Sequence, residues 1–310
     1  MKIAIIGAGA MGSLFGGKLV SAGHEVWLYD IWQDHVDKIN RDGLVIASAV
    51  GETTVRPQAT TDSGKIGSAE LVIVFVKATA TRAAAKTALT LMGADSIVLT
   101  VQNGYGNAEK LAEVVGRERV LAGVTSHGAT MLGPGHIKHA GSGETHIGQL
   151  NAGISDRTRR IAALMTDAGI VTTADGDVAS LIWGKLLINV GINALTAITG
   201  LKNGQLNDYE ETRELMRLVV DEAEHVVRAA GIKLPYSDSF AKIADIAQAT
   251  AENKSSMLQD ISNNRLTEID VINGAVVNEG KRLGIATPFN QVLTLLVHTL
   301  EKCGTRKIDP

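Results

Sequence analysis

Residues 3–12 read Ile-Ala-Ile-Ile-Gly-Ala-Gly-Ala-Met-Gly, and this stretch decides the fold. Its four leading residues form a short continuous apolar run, which is typical of a strand buried on both faces. Helical spacing of apolar residues follows from Met11 to Ala22. The glycines of a Gly-x-Gly-x-x-Gly string therefore lie between a buried strand and the first turn of a helix.

A glycine string in this position predicts a loop that binds the phosphates of a dinucleotide. Its first glycine permits the tight turn, the second lets a pyrophosphate approach the backbone, and the third lets helix and strand pack closely. The helix N-terminus adds free N–H groups and the positive end of its dipole. The predicted loop residues are Gly7, Ala8, Gly9, Ala10, Met11 and Gly12.

Asp30 follows a second predicted strand, residues 25–29, and stands 18 residues after Gly12. An acidic residue at this point usually accepts hydrogen bonds from the adenine ribose hydroxyls and repels a 2′-phosphate. Residues 31–35 read Ile-Trp-Gln-Asp-His, so no arginine stands beside it. The pattern favours NAD over NADP.

The rest of the first half alternates strand and helix patterns, which predicts a parallel sheet with helices on both faces. Residues 120–147 contain short strand-like pieces and glycines, and we expect them to form a late antiparallel part of the same sheet. The other predicted strands are 71–76, 96–101 and 169–173, and the predicted helices are 34–42, 79–92 and 156–168.

From residue 178 onward the pattern is nearly all helical, with a change of character near residues 174–177. The sequence therefore predicts a Rossmann-type, doubly wound α/β sheet domain over residues 1–175 and an all-α domain over residues 176–310. The amphipathic helices predicted in the second domain are 206–231, 238–250, 266–283 and 288–302.

A polar stripe crosses the apolar helix that begins the second domain. Lys185, Asn189 and Asn193 are four residues apart, so they share one face. Burying that face costs free energy unless the polar groups find partners. We interpret the stripe as facing a binding site, with Lys185 as its charged member; the alternative is a lysine that reaches solvent and two asparagines that cap loops.

Two later segments carry further polar candidates. Asn253 and Ser256 are three residues apart and are predicted to share a helix face. Glu268 precedes an apolar stretch, and one interpretation is that its carboxylate pairs with Lys185. The alternative for Glu268 is an ordinary acid in the first turn of a helix after Thr267.

Composition excludes several classes of function. The chain has 310 residues with 30 basic and 33 acidic side chains, and the net charge of −3 argues against nucleic-acid and polybasic membrane partners. The sequence pattern predicts no signal peptide and no apolar run of the ~18 residues that span a membrane. A single cysteine, Cys303, fits a reducing, cytoplasmic setting. Four histidines at 127–146 lack a metal-ligand pattern, so no metal is expected.

Several of these motifs together resemble the ketopantoate reductases over essentially the whole chain. They are the glycine string, Asn103-Gly104, the Trp-x-Lys-x-x-x-Asn-x-x-x-Asn pattern at 183–193, Ser-Ser-Met-x-Gln-Asp at 255–260, and Thr-Glu-Ile-Asp at 267–270. The resemblance implies a Rossmann domain followed by a helical domain. It also implies reduction of 2-dehydropantoate to (R)-pantoate with NADPH, a step of pantothenate and coenzyme A synthesis.

The resemblance also implies roles for individual residues. Lys185 matches the general acid that protonates the ketone oxygen, and Glu268 matches the carboxylate beside it and near the cofactor ribose. Asn103 matches the residue at the junction of cofactor and substrate, while Lys77 and Ala129 match cofactor contacts. The positions that match substrate contacts, besides Asn103 and Lys185, are Asn189, Asn193, Asn203, Asn253 and Ser256.

Three functions stay open at this point. Asp30 departs from the family, whose NADPH-using members tend to carry a basic residue there, so the cofactor is NADPH or NADH. An NAD-dependent D-2-hydroxyacid dehydrogenase of the same superfamily, the D-mandelate type, is the first alternative. A regulator that binds NAD(H) without turnover is the second, although it has no use for Lys185 and Glu268. The expected partner is a small 2-oxo acid, and a helical domain with apolar faces is consistent with a homodimer.

Overall fold

The computed structural model describes residues 1–303, and its internal contacts divide the chain into two units. Unit 1 comprises Met1–Gln102 and Asn107–Val178. Unit 2 comprises Asn103–Gly106 together with the chain from Ala179 onward. The boundary at 175/176 stays a prediction, and residues 304–310 of the predicted second domain lie outside the described residues.

Unit 1 is built on a central sheet of eight strands in the order β12-β11-β8-β7-β6-β1-β2-β5. All neighbouring pairs are parallel except β8 and β11. Residues 3–6 of β1 are almost wholly buried, as the continuous apolar run predicts. The strands are β1 (Lys2–Ile6), β2 (Glu25–Tyr29), β5 (Gln58–Thr60), β6 (Ala69–Val74), β7 (Met92–Thr100), β8 (Val120–Thr125), β11 (Thr145–Gln149) and β12 (Thr172–Ala174).

A second sheet of four strands corrects one expectation. Its order is β4-β3-β10-β9, with β3 at Leu44–Ser48, β4 at Gly51–Val55, β9 at Gly128–Gly133 and β10 at His136–Gly141. The expectation that residues 120–147 all join the main sheet is right for β8 and β11 and wrong for β9 and β10. Strands β9 and β10 carry polar residues and glycines at exposed or half-buried positions, so they suit a sheet with one face open to solvent.

Helices of unit 1 pack against these sheets. Phe15 and Leu19 of the first helix are fully buried in the same core as Ile5 and Leu28 of the central sheet. The short helix at residues 107–115 was not predicted. The helices are α1 (Ala10–Ser21), α2 (Gln33–Asp42), α3 (Thr81–Thr90), α4 (Asn107–Val115) and α5 (Asp156–Asp167).

Unit 2 is helical, so the predicted fold class, an α/β sheet domain followed by a helical part, is confirmed. The segment predicted as one helix at 266–283 is interrupted, because Ile272 leaves helical geometry (φ −108, ψ −98) between a 3₁₀ turn at Ile269–Val271 and the next helix. The helices are α6 (Val178–Thr199), α7 (Glu210–Ala229), α8 (Ser239–Ala249), α9 (Ser256–Ser262), α10 (Asn273–Leu283) and α11 (Pro288–Cys303).

Helix α6 is relevant to the expectation about membrane spans, which stays a prediction. Among residues 1–303 it is the one helix that is long and apolar enough, by length and composition, to cross a membrane. Of its most apolar stretch, 67% is buried inside the protein, with Trp183, Leu187 and Val190 in the core of unit 2. The core helix of a soluble protein passes the same test, so the finding is weak evidence for a membrane location.

A buried carboxylate on α7 joins three helices of unit 2. The side chain of Glu222 accepts hydrogen bonds from the backbone N–H groups of Phe289 and Asn290, each at 2.9 Å, and from Asn290 Nδ2 at 2.8 Å. It thereby satisfies free donors at the start of α11. Asn290 Oδ1 accepts from Asn273 Nδ2 of α10 at 3.0 Å, which extends the network to a third helix.

Replacing Glu222 with glutamine is expected to lower the free energy of unfolding by roughly 1–3 kcal/mol, because an amide N–H₂ then faces a buried donor. Urea unfolding followed by circular dichroism measures the change. The matched control is Glu214→Gln, at an exposed position of the same helix. Equal stability of the two variants would contradict the capping role.

Candidate functional site

The turn between β1 and α1 requires glycine at two of its three glycine positions. Gly7 has φ +94, and a Cβ there would lie 2.7 Å from the backbone nitrogen of Val76. A Cβ on Gly12 would lie 2.0 Å from the carbonyl oxygen of Gly7. At Gly9, by contrast, an added Cβ meets nothing within 4 Å, and the residue is exposed. The fold thus demands Gly7 and Gly12 and leaves the backbone at Gly9 open to an approaching group.

The first turn of α1 has the properties of an anion site. Gly9 is the N-cap, and no side chain caps the helix. The open space beside Gly9 therefore meets N–H groups at the positive end of the helix dipole. These observations fit the pyrophosphate of a dinucleotide, held by residues 7–12.

Asp30 and Lys77 lie at the same edge of the central sheet as this loop. Both β2 and β6 run parallel to β1, and Asp30 and Lys77 follow their carboxyl ends. The chain order reverses on either side of β1, which is where open α/β sheets bind ligands. The Asp30 carboxylate is oriented by the backbone N–H of Trp32, which donates to its Oδ1 at 3.0 Å.

Ala129 lies in a different part of unit 1. It is half-buried on β9 of the second sheet, opposite His139, and packs against the core of the unit. Its predicted cofactor contact stays a prediction. Nearby, His127 Nδ1 and His139 Nε2 are 3.2 Å apart. Within residues 1–303 no group of three or more His, Cys, Asp or Glu side chains is arranged to hold a metal ion.

Lys185 and Glu268 form the charged centre of unit 2. Lys185 lies on α6, and Glu268 immediately precedes the 3₁₀ turn; both are half-buried. Burial lowers the pKa of the Lys185 ammonium to about 8, and the nearby carboxylate of Glu268 opposes this fall. The structure thus brings together the two side chains that were predicted to pair.

Asn103 belongs to the same unit through the short segment that contains it. The backbone N–H of Tyr105 donates to the carbonyl of Val271 at 2.8 Å, and the rings of Tyr105 and Trp183 have centroids 4.8 Å apart. Gly104 is required here, since it has φ +86 and a Cβ would lie 2.5 Å from the Val271 oxygen. The segment therefore packs on the turn that follows Glu268 and on the helix that carries Lys185.

The asparagines of α6 lie along the stripe that the sequence predicts. Asn189 is half-buried and Asn193 is buried. One turn further, Thr196 Oγ1 donates to the Asn193 carbonyl at 3.0 Å and lies 2.7 Å from Ser255 Oγ. These contacts place Ser255, the residue before Ser256, against α6.

The structure corrects the expectation that Asn253 and Ser256 share a helix face. Helix α9 begins at Ser256, and Ser255 is its N-cap, accepting from the N–H of Leu258 at 3.1 Å. A serine hydroxyl stabilises a helix start better than it stabilises a helix interior, so the helix begins too late to include Asn253. Asn253 and Ser256 are both exposed.

Asn203 and Asn253 are joined through the backbone. The N–H of Asn203 donates to the Asn253 carbonyl at 3.0 Å, and Asn203 Nδ2 donates to Thr250 Oγ1 at 3.0 Å. Asn203 is buried, so its side chain helps to hold the segment that contains Asn253. Its role toward a substrate stays a prediction.

Gln102 supports the glycine loop and was not among the residues predicted from the sequence. Its Nε2 donates to the Val76 carbonyl at 2.6 Å and to Thr81 Oγ1 at 3.0 Å, and Val76 is the residue against which Gly7 packs. The available signal was its position, directly after a buried strand at the carboxyl edge of the sheet.

Family models match both parts of the chain. Residues 3–152 match the model described as ketopantoate reductase PanE/ApbA, and residues 177–301 match the model of its C-terminal part. The curated 2-dehydropantoate 2-reductase of Halobacterium salinarum is 37% identical over 306 residues, covering 98% of this chain and 100% of that protein.

Solved structures agree with these matches. A PanE/ApbA family ketopantoate reductase from Ralstonia eutropha JMP134 has a TM-score of 0.90 and 37% identity, covering 97% of this chain and 99% of that one. A D-mandelate dehydrogenase solved with NADH and anilino(oxo)acetate has a TM-score of 0.91 and 31% identity, with the same coverage. The glycine loop, the Lys185–Glu268 pair and these matches show that the chain belongs to the ketopantoate reductase family.

Proposed function

We propose that this chain is an NAD(P)H-dependent 2-dehydropantoate 2-reductase, which reduces the ketone of 2-dehydropantoate to the hydroxyl of (R)-pantoate. The observation that carries the proposal is the half-buried Lys185, with Glu268 beside it, in a chain of this family. A protein that only senses a dinucleotide gains nothing from desolvating a lysine, which costs free energy.

Lys185 acts as the general acid in this proposal. A nicotinamide cofactor, when bound, would supply the hydride that adds to the carbonyl carbon, and the C=O electron pair would then move to the ketone oxygen as negative charge. The ammonium of Lys185 stabilises that charge and donates its proton to the oxygen. A pKa of about 8 suits the task, because the group stays mostly protonated at neutral pH yet gives up its proton readily.

Glu268 keeps the acid charged. Desolvation favours the neutral amine, and the carboxylate raises the pKa again. With both effects present, the ammonium is a stronger acid than an ordinary lysine and is still protonated at neutral pH. By its match to the family motif, Glu268 is also proposed to contact the cofactor ribose.

The polar residues that match family substrate contacts are proposed to hold the substrate. A 2-oxo acid offers one carboxylate and one ketone oxygen, and the proposed polar partners outnumber these groups. A substrate hydroxyl would satisfy the remainder. The proposed substrate contacts are Asn103, Lys185, Asn189, Asn193, Asn203, Asn253 and Ser256.

A second candidate is an NAD-dependent D-2-hydroxyacid dehydrogenase of the D-mandelate type. Asp30 favours it, because a carboxylate at the end of β2 suits a ribose with free hydroxyls. The similar D-mandelate dehydrogenase was solved with NADH. For either activity we propose that the glycine loop, Asp30, Lys77, Asn103 and Ala129 contact the dinucleotide.

The homodimer and the cytoplasmic location stay predictions. Helix α11 exposes Phe289, Val292, Leu295 and Leu296 in the single chain, and this apolar face supports self-association of two copies.

The substrate class is tested with 2-dehydropantoate, 2-oxoisovalerate and benzoylformate, by following absorbance at 340 nm with saturating NADH and then NADPH. We expect kcat/KM for 2-dehydropantoate to exceed that for 2-oxoisovalerate, which lacks the hydroxyl, by at least roughly 10². Preference for benzoylformate would instead establish the second candidate. Dinucleotide binding without turnover of any of the three would support the regulator.

Lys185→Ala is expected to lower kcat by roughly 10²–10⁴. In the wild type, kcat/KM for reduction should fall as pH rises through about 8, because the ammonium loses its proton. Glu268→Gln should move this fall to lower pH, since it removes the charge that raises the pKa of Lys185. Lys242→Ala, at an exposed lysine of α8, is the control. A Lys185→Ala variant within a few-fold of the wild type would remove the lysine from the mechanism.

NADH should serve at least as well as NADPH, because the Asp30 carboxylate repels a 2′-phosphate. Asp30→Asn keeps an acceptor for the Trp32 N–H and removes the charge, so it should raise affinity for NADPH relative to NADH; Asp30→Arg should raise it further. Asp37→Arg, an exposed position on α2, controls for the change in net charge. Titration of each nucleotide measures the ratio, and a wild type that strongly prefers NADPH would contradict this role of Asp30.

A further inference from the structure

A chain of hydrogen bonds runs beneath the glycine loop. Gly135, in the turn between β9 and β10, donates its backbone N–H to His35 Nδ1 at 2.9 Å. His35 Nε2 is 3.3 Å from Ser13 Oγ, and Ser13 Oγ donates to the carbonyl of Ala8 at 2.7 Å. His35 and Ser13 have no exposed surface. The chain therefore links the second sheet to the loop through two buried side chains.

The hydrogen bonds of this chain can run in only one donor-to-acceptor direction. A backbone N–H only donates, so His35 Nδ1 must be the accepting, unprotonated nitrogen. The ring proton then lies on Nε2 and is donated to Ser13 Oγ, whose own proton goes to Ala8. Every donor in the chain has one acceptor, and no member can be reversed alone.

His35 is held neutral, as this direction requires. Burial lowers the pKa of its imidazole, although the Asp30 carboxylate and the Ala8 backbone oppose the shift. Protonation would place an N–H at Nδ1 against the N–H of Gly135.

The same histidine also lies against the segment that carries Asp30. Its ring stacks on that of Trp32, with centroids 5.3 Å apart and an interplanar angle of 12°, and the N–H of Trp32 orients the Asp30 carboxylate. His35 thus connects the two segments proposed to bind the dinucleotide: the Gly7–Gly12 loop through Ser13, and the segment of Asp30 through Trp32.

We propose that Ser13 and His35 are positioning residues that hold the Gly7–Gly12 loop in the geometry that binds the dinucleotide phosphates. The proposal rests on the proposed function insofar as that loop is the cofactor site. Neither side chain contacts the reacting atoms. They act by fixing the Ala8 carbonyl, which leaves the adjacent N–H groups of the first turn of α1 facing outward.

Three variants separate the links of the chain. Ser13→Ala removes the link to Ala8. His35→Asn keeps an acceptor near Nδ1 for Gly135 but does not reach Ser13, whereas His35→Gln keeps a donor near Nε2 for Ser13 and loses Gly135. Ser96→Ala is the matched control, because Ser96 is a buried serine that donates to the Ala69 carbonyl at 2.6 Å at the opposite edge of the sheet.

Two measurements on the whole protein read out the effect. One is the Kd for NADH and NADPH by calorimetry, and the other is hydrogen–deuterium exchange of residues 8–13 without nucleotide. Ser13→Ala and His35→Asn should weaken nucleotide binding roughly three- to tenfold, the worth of one such hydrogen bond, and should speed exchange in the loop. His35→Gln should stay within about twofold of the wild-type Kd even where its Tm is lower, and Ser96→Ala should change Tm alone.

The outcomes distinguish this proposal from the enzymatic one. If the wild type binds nucleotide and Ser13→Ala and His35→Asn match Ser96→Ala in both Kd and exchange, the positioning role is wrong. If His35→Gln is as defective in Kd as His35→Asn, the link through Ser13 is wrong. Nucleotide binding without turnover of any 2-oxo acid overturns the enzymatic proposal and leaves this one standing, while a wild type that binds neither nucleotide overturns both.

Discussion

A side chain cannot be accommodated where Gly7 meets Val76, and the arrangement of unit 1 depends on this close approach. A Cβ on Gly7 would lie 2.7 Å from the Val76 nitrogen, and one on Gly12 would lie 2.0 Å from the Gly7 oxygen. The carboxyl ends of β1 and β6 can therefore come together with the start of α1 above them. The backbone at Gly9 stays open beside this contact, and the parallel pairing of β2 and β6 with β1 places Asp30 and Lys77 at the same edge.

In unit 2 the main constraint is the burial of polar side chains on an apolar helix. Helix α6 has a largely buried, apolar surface, yet it carries Lys185 and two asparagines along one face. The desolvation that lowers the pKa of Lys185 is the same effect that makes it a useful acid, and Glu268 limits how far the pKa falls. Elsewhere in the unit, the buried polar groups Glu222 and Asn290 satisfy one another and serve stability.

The sequence predicted those features that depend on local pattern. The strand at residues 25–29, the glycine turn and the helix with Lys185, Asn189 and Asn193 all follow from periodicity and backbone chemistry. The second sheet did not, because β10 pairs with β3, which is distant in sequence, and because β9 and β10 lack a strong apolar pattern. The prediction that Asn253 and Ser256 share a helix face is wrong because a spacing of three residues does not indicate where a helix begins, and α9 begins only after its N-cap Ser255. The contact between Ser13 and His35 could not be predicted from the sequence, because these residues are 22 apart and meet only in the folded protein.

The position of residues 103–106 bears on the order in which the protein can be completed during synthesis. The main sheet of unit 1 is finished once β12 has left the ribosome, but α6 shares its core with Val219 of α7 and Val297 of α11, which are made later. Part of the apolar surface of α6 therefore has no partner until α7 and α11 have been made, and apolar surface exposed during folding makes chains prone to aggregation. Tyr105 makes its contacts later still after its own synthesis, because its partners, Trp183 and Val271, are translated well after the strand that precedes it.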